Sequence, residues 1–247
     1  MESTWPSIAQ RNAAAGYGLT LVAGLPLPPA ITREVLAAQA QIEGMFPGRF
    51  IWYRASHLHV TLRALLRTRD RAAPPLNRAE LPDDLAGFAT DLGDLFAQVV
   101  PFSWKIGSAH LSEEGVLLLD VHNGLSVRTR ITSWLQNYSE FDPPKHLQDH
   151  LHISVGYLRE SSDTHPASQL TETLQSLLYD TCISATVQTQ VEQVWLVHYA
   201  NRTLNRILGK VPLNLGRPNR LTASELLEAL RIADQPTAPA SERKCRT

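Results

Sequence analysis

Two hexapeptides carry one pattern of chemistry-bearing residues: His57-Leu58-His59-Val60-Thr61-Leu62 and His150-Leu151-His152-Ile153-Ser154-Val155. In each, polar and apolar residues alternate, which on a β-strand puts every His, Thr and Ser on one face and every Leu, Val and Ile on the other. Residues two apart on a strand lie roughly 6.5–7 Å from each other, so an imidazole and a hydroxyl reach the same small anion. Free imidazole titrates near pH 6.5, so one histidine of a pair can be neutral while the other is protonated. Such a pair supplies a base for an attacking oxygen and an acid for a leaving one, and hydroxyls donate to phosphoryl oxygens. Phosphodiester cleavage needs that combination.

His59 and His152 are the candidate acid and base, and Thr61 and Ser154 the candidate phosphate-binding hydroxyls. Strict alternation gives polar faces of His57, His59, Thr61 and Arg63 in the first strand and His150, His152, Ser154 and Gly156 in the second. Arg63 is then either a further phosphate contact or a solvated strand end, His57 and His150 occupy strand ends, and Tyr157 falls on the apolar face. Trp195 and Tyr199 share one face of a later strand and are base-stacking candidates. His110, His122, His146, His165 and His198 lack a comparable partner and read as ordinary surface or hydrogen-bonded residues.

The elements that must position these residues are legible from periodicity and breakers. Strands are expected at Tyr17–Ala23, Phe50–Tyr53, His57–Leu66, Phe102–Leu111, Val116–Val121, His150–Leu158, Cys182–Gln188, Val191–Tyr199 and Ile207–Leu213. A helix follows Pro28 and Pro29, with Ile31, Val35, Ala38, Ile42 and Met45 on one face before Pro47-Gly48. Further helices are expected at Pro82–Val100, Leu125–Asn137, Ala167–Tyr179 and from Thr222; Arg128 and Arg130 read as solvated. Strands and helices without regular βαβ alternation indicate α+β. One domain over residues 1–235 is expected, with a disordered tail from Pro236, rich in Pro, Ala, Ser and charge.

The chain has 247 residues, 43% hydrophobic and 19% charged, enough to bury a sizeable core. A formal charge of -1 lacks the electrostatic footprint of a protein that grips long nucleic acid, so duplex DNA is not expected as a partner. A small nucleotide or an RNA end fits better. Two cysteines, Cys182 and Cys245, point to a reducing compartment. With no signal-peptide pattern and no membrane-length apolar run, the expectation is a cytoplasmic protein without membrane contact.

At the paired motifs the chain resembles the two-histidine (2H) phosphoesterase superfamily, in its 2'-5' RNA ligase-like and cyclic phosphodiesterase branch, whose mark is two His-x-Thr/Ser-hydrophobic motifs. Ile51-Trp52-Tyr53-Arg54-Ala55-Ser56 resembles the family's approach to its first motif, and the 93-residue interval between His59 and His152 is similar to its spacing. The resemblance implies a bilobal fold of two pseudo-symmetric antiparallel-sheet lobes, helices outside and a cleft between. It also implies hydrolysis of a 2',3'-cyclic phosphate or 2'-5' phosphodiester, with reverse ligation within the family's range and no metal or cofactor. His59 and His152 match the family's catalytic histidines, and Thr61 and Ser154 its phosphate-binding hydroxyls. Gly156 and Tyr157 depart from the charged residues that follow the second motif in some relatives.

Two rival readings stand beside this one. His57-x-His59 and His150-x-His152, with Asp149 adjacent, also have a spacing that binds zinc. A non-catalytic module that binds RNA ends on the same fold is the third.

Overall fold

The computed structural model describes residues 16–67, 75–112, 116–141, 151–159, 188–201 and 203–233. β1 (Gly18–Ala23) leads to α1 (Pro29–Met45), whose first position is a proline, the residue best suited to a place where the backbone N–H has no helical partner. β2 (Phe50–Trp52), a 3-10 turn (Ala55–His57) and β3 (Val60–Arg67) follow. Asp84 caps α2 (Leu85–Ala97) by accepting from the Gly87 N–H. Next come β4 (Phe102–Leu111), β5 (Val116–His122) and α3 (Leu125–Leu135). β6 (Leu151–Leu158), β7 (Gln188–Val191), β8 (Gln193–Tyr199) and β9 (Ile207–Asn214) complete the sheet. α4 (Ala223–Leu230) opens on a Thr222/Glu225 capping box.

Every strand pairing is antiparallel, in the order β7-β4-β5-β6-β3-β1-β8-β9, with β2 also on β6. The order divides into two four-stranded halves whose inner strands are the two motif strands, β6 and β3. These meet at a single position, Val60 opposite Ile153, and then diverge. One apolar core nevertheless underlies both halves: Trp104, Leu119 and Ile153 from one, Leu21, Val60 and Leu62 from the other, closed by Ile31, Phe88 and Ile131 of the helices. The expected bilobal α+β architecture holds, with the lobes joined as one sheet.

Several boundaries move inward, and the strand expected over Val191–Tyr199 breaks at Glu192 between β7 and β8. The larger correction concerns His57, which lies in the 3-10 turn and not on a strand. Trp52 stands opposite Gly156, so an unbroken strand would bring Ala55 opposite Ile153. Val60 stands there instead, and the five extra residues loop out between β2 and β3. His150, Asp149, the Ala167–Tyr179 helix, most of the Cys182–Gln188 strand and the tail from Pro236 lie outside the described residues.

Candidate active site

The Val60–Ile153 bridge decides where the motif side chains go. Residues directly opposite in an antiparallel pair share a face, and both of these point into the core. Their chain neighbours must take the other face. His59 and Thr61 flank Val60, His152 and Ser154 flank Ile153, and all four are half-buried beside the line where the two halves meet. Two motifs 93 residues apart in the chain thus face one surface, with the antiparallel direction crossing them: His59 lies on the side of Ser154, and Thr61 on the side of His152.

His59 is oriented by the turn before it. Its Nδ1 lies 2.7 Å from the carbonyl oxygen of His57, and a carbonyl only accepts, so Nδ1 carries the proton and Nε2 keeps its lone pair. Burial lowers its pKa below the usual imidazole value; the carbonyl bond opposes that shift and the neighbouring His57 ring adds to it. This is a neutral imidazole with one basic nitrogen to offer. His57 itself is also lowered, by burial and then by Arg54, and its contribution to the site is its carbonyl.

Each motif is followed by an irregularity that shifts the alternation by one residue. On β3, Thr61 stands opposite Val22 and Arg63 opposite Leu21, leaving Leu62 as the extra residue. Leu21 is a core residue, so Arg63 stands on the helix side of the sheet, and strict alternation misassigns it to the phosphate face. On β6, Leu118 stands opposite Ser154 and Leu117 opposite Gly156, so Val155 is the extra residue. Leu117 is in the core and Val116 stands opposite Tyr157, which puts Tyr157 on the site face, where its ring meets Tyr53 edge-on at 6.0 Å. The shift turns Arg63 away from the site face and Tyr157 onto it.

Two buried or half-buried helix side chains hold the carbonyls at these irregularities. Arg128 of α3 donates from Nη2 to the Thr61 carbonyl at 2.7 Å and from Nε to the Leu62 carbonyl at 3.0 Å. Gln39 of α1 donates from Nε2 to the Val155 carbonyl at 2.7 Å and the Tyr53 carbonyl at 3.0 Å. Arg128 is therefore not the solvated residue that its helical position suggests: burial and then the nearby Arg63 charge lower its pKa. Arg130 is exposed and bonds Gln98.

The apolar wall of the site face continues onto β1 and β8. Trp195 stands opposite Val22, which stands opposite Thr61, so the indole lies two strand spacings, about 9.5 Å, from the hydroxyl's strand. Lys210 Nζ sits 4.1 Å from the Trp195 ring centroid. Tyr199 shares the face but is 6% exposed, packed with Val22, Leu25, Val197 and Leu204 and lying against Gly18. Its ring has no face to offer a base. On the other half of the sheet, His110 Nδ1 lies 3.4 Å from Asp120 Oδ1, a contact that their sequence positions did not suggest. His198 is buried away from the site, with Nδ1 2.8 Å from the Leu230 carbonyl. Among the described residues no three of the His, Cys, Asp and Glu side chains are grouped to hold a metal ion.

No family model matches the sequence, and no curated protein does either. Solved structures do match. The protein ATU0111 of Agrobacterium tumefaciens, whose function is unknown, superposes with a TM-score of 0.55 at 14% identity, covering 82% of this chain and 86% of its own. TT0787 of Thermus thermophilus superposes with a TM-score of 0.51 at 16% identity, covering 80% and 98%. The chain shares the fold of these two proteins. LigT of E. coli superposes less closely, with a TM-score of 0.48 at 15% identity over 81% of this chain and 99% of its own. Among the described residues no helix is long and apolar enough to cross a membrane.

Proposed function

We propose that the chain is a phosphodiesterase that hydrolyses 2',3'-cyclic phosphates or 2'-5' phosphodiesters of nucleotides or RNA ends, without a metal, in the cytoplasm. His59 and His152 exchange the protons, Thr61 and Ser154 donate to the non-bridging oxygens, and Trp195 offers a ring face to the base. The observation that carries this reading is the one Val60–Ile153 bridge, which sets both His/hydroxyl pairs on a single face. A phosphate held there touches donors from both halves of the sheet. Each proton transfer is worth about 10²–10⁴ in rate. Ligation puts a 5'-hydroxyl in the place of water: that oxygen gives its proton to the base and bonds to the phosphorus of a 2',3'-cyclic phosphate, while the bond to the 3'-oxygen breaks and that oxygen takes the acid's proton.

A panel of 2',3'-cyclic mononucleotides, cyclic-ended RNA and 2'-5' linked oligonucleotides, run with chelator, tests the assignment. Turnover should survive exhaustive chelation and collapse in His59→Ala and His152→Ala. Activity lost on chelation and restored by zinc would move the assignment to the metal-dependent reading. Binding of cyclic ends without turnover at any pH would leave a binding module.

A further inference from the structure

Asp120 stands directly opposite His152 in the β5–β6 ladder. Its chain neighbours, Leu119 and Val121, are core residues opposite Ile153 and Leu151, so Asp120 and His152 share the site face. Directly opposed Cβ atoms of an antiparallel pair stand roughly 4.5–5.5 Å apart, a spacing at which a carboxylate reaches an imidazole. Both side chains are half-buried, where charges are screened less than at an open surface. Two more features surround the carboxylate. His110 Nδ1 lies 3.4 Å from its Oδ1. Gly107 lies beneath it at an irregularity of β4, where an added Cβ would stand 3.0 Å from the Asp120 Cβ and 2.5 Å from His122 Nε2. A larger residue at 107 would push both side chains off this face.

We propose that Asp120 is a positioning residue for His152, holding the ring toward the motif bridge and favouring its protonated form. The inference rests on the acid–base reading of the two histidines and breaks its symmetry. His59, tied to a carbonyl in a buried setting, is the base; His152, beside a carboxylate, is the acid. In hydrolysis His59 Nε2 takes a proton from water as the water oxygen bonds to phosphorus. The bond from phosphorus to the leaving ribose oxygen breaks, and that oxygen takes the proton of His152. Asp120 exchanges no proton with the substrate. On this face, among the described residues, the other titratable or charged groups near His152 are His59, Tyr157, His122, His110 and Lys105.

The test is Asp120→Asn in the full chain, with imidazole titrations followed by NMR and the His152 signal assigned by its loss in His152→Ala. Removing the carboxylate removes what favours the imidazolium, so the His152 midpoint should fall by about one pH unit. The alkaline limb of kcat on a 2',3'-cyclic nucleotide should move down with it while KM changes less than about threefold. Asp120→Glu should restore the midpoint, and Asp120→Ser is the second neutral variant should Asn disturb the sheet. A His152 midpoint and an alkaline limb that stay in place in both neutral variants would overturn the assignment of Asp120 alone. Full turnover in His152→Ala would overturn the acid–base reading, and the role of Asp120 with it.

Discussion

At the scale of single residues, the two motifs differ by what stands behind each histidine. His59 is held neutral by burial, with its proton on Nδ1, so the acid limb of kcat/KM should lie below the ordinary imidazole midpoint of about 6.5. The sign follows from the direction: a base whose pKa is lowered stays unprotonated to lower pH. A pH–rate profile checks it, and His57→Ala, which keeps the carbonyl, should leave the limb largely in place. Thr61→Val and Ser154→Ala should each lower kcat by about 10–100-fold, less than either histidine variant, because the backbone and the partner hydroxyl remain. Tyr157→Phe reads out the residue that the β6 irregularity turns onto the site face: a role for its hydroxyl appears as a loss of turnover in steady-state assays with stability unchanged. The types and spacing of His59, Thr61, His152 and Ser154 were enough to single them out. Arg63 and Tyr157 were assigned to the wrong faces because period-2 alternation holds only while the ladder is regular.

At the scale of elements, the irregularity after each motif is stabilised from behind by one helix side chain. A strand that gains a residue leaves carbonyls without ladder partners, and an unsatisfied buried polar group costs about 1–3 kcal/mol. Gln39→Leu should therefore destabilise the fold by roughly that amount, read as a shift in the urea midpoint at constant slope. Arg128→Leu removes the two donors to the Thr61 and Leu62 carbonyls and should lower turnover as well as stability, since Thr61 sits on the backbone it holds. Arg128→Lys should rescue poorly, because one ammonium cannot reproduce the two-pronged contact. Neither role was legible locally. Gln39 falls on the inward stripe of α1, but a polar residue there signals only a buried partner, and Arg128 lies in the first turn of a helix whose exposed positions are mostly polar.

At the scale of the whole molecule, one core spans both halves, so damage in one half reaches the other. Trp104 is completely buried in the β4–β7 half, and Trp104→Ala should cost about 3–5 kcal/mol and lower turnover in proportion to the unfolded fraction. Acid should destabilise the protein as well. His57, His59 and His198 all have lowered pKa values, with burial the largest cause in each. Near pH 6.5 the unfolded chain takes up protons that the folded chain refuses, so their contribution is full above that pH and is lost as pH falls through the folded values. Urea unfolding at pH 7.5 and 5.5 checks it, and a midpoint that rises on acidification would contradict it. The sequence by itself determined the strand-forming character of both motifs, the α+β class, and which imidazoles and hydroxyls are the candidates for the chemistry, because these follow from side-chain type and local period. Tertiary structure decided that the motifs adjoin at one bridge, that the alternation slips after each, that Asp120 stands opposite His152 in the ladder and that a carbonyl holds the His59 ring. Strand pairing joins residues far apart in the chain, and no local pattern encodes which strand lies next to which.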